Sequence, residues 1–288
     1  MKSVEDMKKM GRTTLGIAVL FFMSCTPFMS LMSPTSLTAP EYTTVFYPSG
    51  ALRLEAYVYR PVGAGPFPVV IYSHGSRKGY EREERPMAFV GNMLASEGYL
   101  VVVPERRGYG TSEGKTFSED AGADVGARMI ARLEGEAGDV VAAMTYAATI
   151  DGADVRRLAL VGFSQGGSVS VRAASLRPDV RGLVNQAGGS LTWSRSPDLR
   201  RALTDWAKAL RMPVLCMDAA NDATTDAVNA VCEAARRAGA ETHVTIYPPF
   251  TPASNPDNIA PGHLIFAPGA GVAIWRPDVV AFLSAHAR

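Results

Sequence analysis

From about residue 42 the chain alternates short apolar runs with longer amphipathic stretches. The runs have the length and composition of buried strands, and they cover residues 43–47, 52–59, 67–72, 99–103, 157–161, 180–184, 213–217 and 242–247. The stretches between them predict helices over residues 85–96, 121–148, 166–176, 223–238 and 277–286. We expect the second helix to be broken or loosened near Gly135 and Gly138. The first two strands flank Pro48-Ser49-Gly50, which predicts a hairpin.

Apolar strands separated by helices predict an α/β fold with a mostly parallel central sheet and helices on both faces. No repeat divides residues 41–288, so we interpret them as one domain. Residues 190–211, between two predicted strands, carry Trp193 and Trp206 and predict a small cap insertion over the site. In open sheets of this kind the chemistry lies at the carboxyl ends of the strands.

Residues 1–40 have a different pattern. Lysine and arginine outnumber acidic residues up to Arg12, no further charge appears until Glu41, and residues 13–23 form a short apolar run. A positive start followed by a short apolar stretch is typical of a secretory signal peptide. The alternative is an uncleaved membrane anchor, although Pro27 interrupts the apolar stretch. We expect the protein to be exported to the periplasm or secreted. The alternative is that this segment attaches the protein to the membrane.

Composition excludes several classes of protein. Among 288 residues, 47% are hydrophobic and 20% are charged, which is ordinary for a globular protein. The 29 basic and 28 acidic residues leave no electrostatic footprint for nucleic acid. Cys25, Cys216 and Cys232 lack the spacing of a zinc site, and we expect no metal. Cys216 and Cys232 have the option of pairing in an oxidising compartment, but Cys216 lies in an apolar strand, so we expect a buried free thiol.

The predicted strand at 157–161 runs directly into Gly162-Phe163-Ser164-Gln165-Gly166-Gly167, a G-x-S-x-G sequence. In this motif a sharp strand-to-helix turn projects the serine hydroxyl outwards, and side chains two residues before and after it would clash. The helix that follows presents its positive end to a developing oxyanion. Because the predicted strand and helix stand where the motif requires them, we interpret Ser164 as a nucleophile.

From about residue 45 to its end, the chain resembles the α/β-hydrolase superfamily, most closely its dienelactone hydrolase-like branch. The segments that carry the resemblance are Tyr72-Ser73-His74-Gly75-Ser76, Arg107-Gly108-Tyr109-Gly110-Thr111-Ser112-Glu113-Gly114, Gly162-Phe163-Ser164-Gln165-Gly166-Gly167, Pro213-Val214-Leu215 through Asp222, and Gly262-His263. The resemblance implies the α/β-hydrolase fold, a small-molecule ester as substrate and no cofactor. Dienelactone hydrolase itself has a cysteine nucleophile, so Ser164 favours a general serine esterase.

In this superfamily the acid and then the histidine follow the serine along the chain. Three histidines follow Ser164. His243 precedes the strand at the wrong edge of the sheet, and His286 lies at the end of a helix near the last residue. His263 lies in a long proline-rich loop after a strand, so it is the predicted base.

The acid is expected just past the strand at 213–217, where Asp218 and Asp222 are both candidates and Asp226 is a third. The family pattern places an aspartate nine residues after the proline, here Pro213, and this implies Asp222. Its role would be to orient the imidazole and stabilise its charged form. Each of the three aspartates has the alternative role of a helix cap.

The resemblance also implies an oxyanion hole. Its donors would be the backbone N–H of Gln165, after the nucleophile, and that of Ser76, after an earlier strand. Gly75 and Arg77 are alternatives to Ser76. His74 precedes the serine, and the resemblance implies a structural role for it.

Three aromatic side chains near the predicted site, Tyr109, Phe163 and Trp193, are expected to bind an apolar part of the substrate. Three basic residues lie near the predicted site: Arg77, Lys78 and Arg106. They either bind a carboxylate group of the substrate or are ordinary solvated surface charges.

Together these patterns predict a serine hydrolase that cleaves carboxylic esters through an acyl-enzyme. A serine peptidase of the prolyl-oligopeptidase-like branch and an acyltransferase would carry the same residues. Peptidases of that branch usually have a large additional domain. A non-catalytic binding module is disfavoured because serine, aspartate and histidine all stand in order.

Overall fold

The computed structural model describes residues 42–288, and in this part of the chain eight strands form one sheet. The strands are β1 Tyr42–Ser49, β2 Leu52–Tyr59, β3 Phe67–Ser73, β4 Leu100–Glu105, β5 Ala153–Phe163, β6 Gly182–Gln186, β7 Val214–Ala219 and β8 Thr242–Tyr247. Their order in the sheet is β1-β2-β4-β3-β5-β6-β7-β8. The β1–β2 hairpin is antiparallel and β2 pairs antiparallel with β4, whereas all other neighbours are parallel. The predicted sheet class is confirmed.

Helices cover both faces of the sheet. They are α1 Ala88–Ser96, α2 Phe117–Asp120, α3 Ala127–Ala147, α4 Gln165–Leu176, α5 Pro197–Ala207, α6 Asp226–Arg237 and α7 Val272–His286. The buried residues of α3, α4, α5 and α6 form one hydrophobic cluster with the sheet, and those of α1 and α7 form another on the opposite face. Side chains of β3 alternate between the two, with Val69 and Ile71 in the first and Val70 and Tyr72 in the second. Burial on both faces explains the continuous apolar runs.

Helices α3 and α7 differ in kind from the prediction because packing overrides local preference, whereas α1 and α6 begin three residues later than predicted. Helix α3 continues unbroken through Gly135 and Gly138. A side chain at Gly135 would collide with the guanidinium of Arg107, so this glycine leaves room for the arginine. Helix α7 starts five residues before Pro277 and contains it. Trp275 anchors this first turn, since it is buried and its indole N–H donates to the carbonyl of Ile265.

The predicted cap insertion, residues 190–211, forms a short 3-10 turn at Trp193–Arg195 and then α5. Helix α5 packs beside α4 and α6. Trp193 and Trp206 are only 8% and 7% exposed and belong to the hydrophobic cluster of that face. The segment therefore extends the helical layer that flanks the sheet.

The expectation of a free thiol at Cys216 is wrong. Cys216 on β7 and Cys232 on α6 form a disulfide, with their Cα atoms 6.2 Å apart. Helix α6 packs along β7, and its buried face, which includes Val231 and Ala235, turns Cys232 toward the strand. The pairing thus follows from helix-on-sheet packing, which the spacing of the two cysteines did not reveal.

The predicted signal peptide or membrane anchor at residues 1–40 lies outside the described residues. Within residues 42–288, no helix has the length and hydropathy that a bilayer span requires.

Candidate active site

The turn between β5 and α4 holds Ser164 in an uncommon backbone conformation, with φ 55° and ψ −119°. Close contacts on both sides require glycine. A side chain at Gly162 would strike the backbone of Gly166, and one at Gly166 would strike the carbonyl oxygens of Ser73 and His74. These contacts agree with the expected nucleophile turn, which projects a hydroxyl above the first turn of a helix.

Three chain segments meet at this hydroxyl. The Oγ of Ser164 donates to His263 Nε2 at 2.8 Å, and His263 Nδ1–H donates to Asp222 Oδ2 at 2.7 Å. The side chains of His263 and Asp222 are 2% and 0% exposed, so water competes little for either bond. The hydroxyl, imidazole and carboxylate are thus aligned for proton transfer from serine to histidine.

The other candidates for base and acid lie elsewhere. The exposed imidazole of His243 bonds Glu241, and His286 packs its ring on Phe282 at the end of α7. Asp226 is exposed in the first turn of α6. Asp218 is fully buried near the end of β7, where its carboxyl bonds Ser190 and the N–H of Ala219 and not the histidine.

A contact that the sequence did not reveal joins the loop of the acid to the loop of the histidine. Asn221 Nδ2 donates to the carbonyl of Phe250 at 2.9 Å, and the Phe250 N–H donates back to Asn221 Oδ1 at 2.8 Å. The backbone carbonyl of Asn221 also accepts from the N–H of Gly262. Three hydrogen bonds therefore hold the residue before Asp222 to the loop that carries His263. An asparagine beside an aspartate carries no sequence signal for this role.

The predicted oxyanion donors lie in the serine turn and in the loop after β3. Ser73 pairs with Gly162 across β3 and β5, so the loop after β3 lies beside the serine turn. A side chain at Gly75 would contact the Cβ of Ser164. Within residues 42–288, neither the Ser76 N–H nor the Gln165 N–H has a hydrogen-bond acceptor. Unpaired amides beside a nucleophile can stabilise a developing negative charge.

Beneath the serine turn lies a buried carboxylate that the sequence analysis missed. Glu136 accepts from Arg106 Nε at 2.7 Å, from Arg132 Nε at 2.8 Å and from the side-chain amide of Gln165 at 2.8 Å. Burial by itself would raise the pKa of Glu136, but the two guanidinium groups outweigh it and hold the pKa below its ordinary value. The ionised Glu136 thus fixes the residue that follows the nucleophile.

His74 has the structural place expected for it. Its Nδ1–H donates to the carbonyl of Gly75 at 2.7 Å, and its ring packs edge-on against Tyr109. Burial and the nearby charges of Arg106 and Arg77 lower its pKa well below the ordinary value. A neutral imidazole therefore braces the loop that carries Gly75 and Ser76.

Comparison with known proteins matches residues 54–257 to the dienelactone hydrolase family. This chain belongs to the dienelactone hydrolase family. It is therefore an α/β-hydrolase-fold hydrolase of carboxylic esters. The matched range ends before His263, so the tertiary structure is what adds the histidine to the site.

Individual relatives agree with the family. A putative carboxymethylenebutenolidase of Escherichia coli strain K12 is 27% identical over 233 residues, which are 79% of this chain and 82% of that protein. The quorum-quenching protein AidA of Acinetobacter baumannii is 31% identical over 123 residues, 43% of this chain but only 36% of its own length. The crystal structure of dienelactone hydrolase from Anabaena variabilis superposes with a TM-score of 0.61 at 19% identity, covering 87% of this chain and 100% of that one.

The aromatic residues predicted to bind substrate have three different placements in this dienelactone hydrolase family member. Tyr109 is fully buried and its hydroxyl accepts from Gln165, so its observed contacts are with the protein itself. Trp193 lies in the hydrophobic layer under α5. Phe163 is partly exposed, with its ring centroid 5.1 Å from that of His263. Of the three, Phe163 is the one that packs beside the histidine of the site.

The three basic residues near the predicted site also differ in their burial and partners. Arg106 is buried on Glu136, and Arg77 is buried in an ion pair with Glu105, so neither is a solvated charge or a substrate ligand. Lys78 is exposed. Within residues 42–288, no three histidine, cysteine or acidic side chains are grouped as metal ligands would be.

Proposed function

We propose that Ser164, His263 and Asp222 are the catalytic triad of this ester hydrolase. The observation that carries the proposal is the continuous pair of hydrogen bonds, 2.8 Å from serine to histidine and 2.7 Å from histidine to aspartate. The assigned roles are nucleophile for Ser164, general base and acid for His263, and orienting carboxylate for Asp222.

The proposed reaction has two steps. Ser164 Oγ attacks the ester carbonyl carbon while its proton passes to His263 Nε2, and the resulting oxyanion accepts from the Ser76 and Gln165 N–H groups. The alcohol leaves with the proton from Nε2, and the acyl group stays on the serine. His263 then takes a proton from water, the hydroxide attacks the acyl carbonyl, and the acid departs as Ser164 recovers its proton.

We propose a small-molecule ester with an apolar acyl or alcohol part as the substrate. Phe163 and Phe250 support this class because both are partly exposed and pack on the same hydrophobic cluster near the triad. A serine at the nucleophile position favours broad esterase chemistry over the dienelactone substrate of the cysteine enzyme.

Turnover of p-nitrophenyl esters from acetate to decanoate by the full chain tests this proposal, with Ser164→Ala as the matched variant. We expect kcat/KM to fall at least about 10⁴-fold in the variant, because attack by the nucleophile is lost. The acyl length with the highest kcat/KM would give the size of the apolar site. Equal turnover by the variant would refute the triad.

Further assays on the same wild-type and Ser164→Ala proteins distinguish an esterase from a peptidase or an acyltransferase. A fluorophosphonate should label wild type and not Ser164→Ala, because it reacts with an activated serine. Peptide amides should be cleaved far more slowly than esters. If peptide amides were cleaved faster than esters, the protein would be a peptidase. If added alcohols were converted to new esters, the protein would be an acyltransferase.

We propose further that the protein is exported. The Cys216–Cys232 disulfide supports this, because disulfides persist in oxidising compartments and are rare in the cytosol. Cell fractionation combined with thiol alkylation is the test. Protein recovered outside the cytoplasm with both cysteines protected from alkylation would support export, and a cytoplasmic protein with free thiols would refute it.

A further inference from the structure

The reaction described above leaves one carboxyl group beside the triad without a role. Asp218 lies at the end of β7 and is fully buried. Its Oδ2 accepts from the hydroxyl of Ser190 at 2.7 Å, and its Oδ1 accepts from the N–H of Ala219 at 2.8 Å. Asp222 follows in a turn in which its own N–H donates to the carbonyl of Ala219 at 3.0 Å, so the two carboxyl groups lie close together and the charge of Asp222 acts on the pKa of Asp218. A chain of contacts therefore runs from Ser190 through Asp218 and Asp222 to His263.

Two carboxyl groups can hydrogen-bond to each other only when one of them carries a proton. Asp222 accepts from His263 Nδ1–H at Oδ2 and from the N–H of Ala223 at Oδ1, so each of its oxygens already has a donor. Asp218 is fully enclosed and lies next to the negative charge of Asp222. Burial and then the charge of Asp222 raise the pKa of Asp218 to about 8. The shared proton therefore belongs to Asp218 at neutral pH.

Few other charged groups face Asp218 from the elements around β7. The loop after β6 contributes the neutral hydroxyl of Ser190, and the turn after the last strand contributes His263 through Asp222. On β8, Tyr247 directs its hydroxyl to Asp278, and His243 bonds Glu241 near the other end of the strand. The nearest acid of α6, Asp226, is exposed in the first turn of the helix.

We propose that Asp218 is a positioning residue for the triad: in its neutral form it donates a hydrogen bond to Asp222 and holds that carboxylate against His263 Nδ1. This inference rests on the triad proposed above. It assigns Ser190 a secondary role, because its hydroxyl fixes the Asp218 carboxyl in the orientation that reaches Asp222.

The consequence is a loss of activity at alkaline pH. When Asp218 gives up its proton, Asp222 loses a donor and gains a second anion as its neighbour. Repulsion between the carboxylates then turns Asp222 away from Nδ1. We expect kcat/KM of wild type to fall on the alkaline side, because burial and then the charge of Asp222 raise the pKa of Asp218 well above its ordinary value.

The test is the pH profile of kcat/KM for a p-nitrophenyl ester from pH 6 to 9.5 with the full chain. Asp218→Asn keeps a neutral donor that does not titrate, so it should lose no more than about threefold at pH 7 and should lack the alkaline decline. Asp218→Leu has no donor and should lose about tenfold at pH 7, the loss expected for one hydrogen bond.

Ser190→Ala gives an independent check that does not change either carboxyl. The hydroxyl of Ser190 favours the ionised form of Asp218, so its removal should raise the pKa of Asp218 and shift the alkaline decline to higher pH. If Asp218→Leu does not fold, the profiles of Asp218→Asn and Ser190→Ala still decide the question.

An alkaline decline in Asp218→Asn equal to that of wild type would overturn the inference, as would wild-type activity in a folded Asp218→Leu variant. Ser164→Ala separates this failure from failure of the triad itself. Loss of turnover in Ser164→Ala together with an unchanged profile in Asp218→Asn would leave the triad standing and remove only the role of Asp218.

Discussion

Ser164 has a positive φ, a conformation that costs a residue other than glycine about 1–3 kcal/mol. Its surroundings enforce that conformation. The Ser164 N–H donates to the carbonyl of Gln186 at 2.8 Å, and Gly166 lies against the carbonyls of Ser73 and His74. The strain is thus held by backbone contacts to the two neighbouring strands, so substitutions that disturb those contacts should affect both folding and activity.

Gly166→Ala tests these contacts. Its Cβ would overlap two backbone carbonyls that cannot move without shifting β3. We expect the free energy of unfolding to fall by about 1–3 kcal/mol and kcat/KM to fall at least about tenfold, because the turn must deform. Urea unfolding and ester turnover measure the two effects.

Gly138→Ala is the matched control. This glycine is inside α3, and a Cβ there would meet nothing within 4 Å. Alanine should raise the free energy of unfolding by about 0.5–1 kcal/mol through helix propensity and leave turnover unchanged. Similar losses in both variants would mean that the contacts at Gly166 have no special role.

At the scale of elements, helix α3 supports the site through one side chain. Glu136 joins α3 to Arg106, just after β4, and to Gln165, at the start of α4. A fully buried carboxylate is stable there only because two guanidinium groups and an amide satisfy it. Through these bonds, helix α3 holds the serine turn in position relative to the end of β4.

Glu136→Gln should lower the free energy of unfolding by about 3–5 kcal/mol, because it leaves Arg106 and Arg132 buried without their counter-charge. Glu134→Gln on the same helix is the control. Glu134 is 45% exposed and its pair with Arg172 lies at the surface, so the change should be within about 0.5 kcal/mol. Chemical denaturation measures both, and equal effects would show that burial of the network contributes nothing.

For the whole molecule, Asp218 connects stability to pH. Its pKa is raised from an ordinary value of 3.8 to about 8 by burial and then by the charge of Asp222. Between these values the unfolded chain releases the proton and the folded protein keeps it. The stability from this group is therefore complete below about pH 4, declines as pH rises to about 8, and stays constant above.

We accordingly expect the free energy of unfolding of wild type, relative to that of Asp218→Asn, to fall as pH rises from 5 to 8. The slope has an upper limit of about 1.4 kcal/mol per pH unit, which corresponds to one proton. Urea titrations of both proteins at pH 5, 6.5 and 8 give the difference. A difference that rises with pH, or does not change, would mean that Asp218 is ionised in the folded protein at neutral pH.

Features that depend on neighbours along the chain could be predicted from the amino-acid sequence alone. Apolar runs of strand length gave the parallel sheet, since a strand buried on both faces has no polar position. The glycines around Ser164 predicted the serine turn because the motif, the strand before it and the helix after it are consecutive in the sequence. The order of Ser164, Asp222 and His263 also followed from the sequence together with the family resemblance.

Only the tertiary structure decided features that depend on distance through space. It aligned Ser164 with His263 from 99 residues away, paired Cys216 with Cys232, and buried Tyr109 and Glu136. In the sequence, Asp218 and Asp222 are four positions apart and have identical side chains, so the sequence does not distinguish their roles. Their difference arises from enclosure and partners, because a carboxyl group takes its protonation state from the groups packed around it.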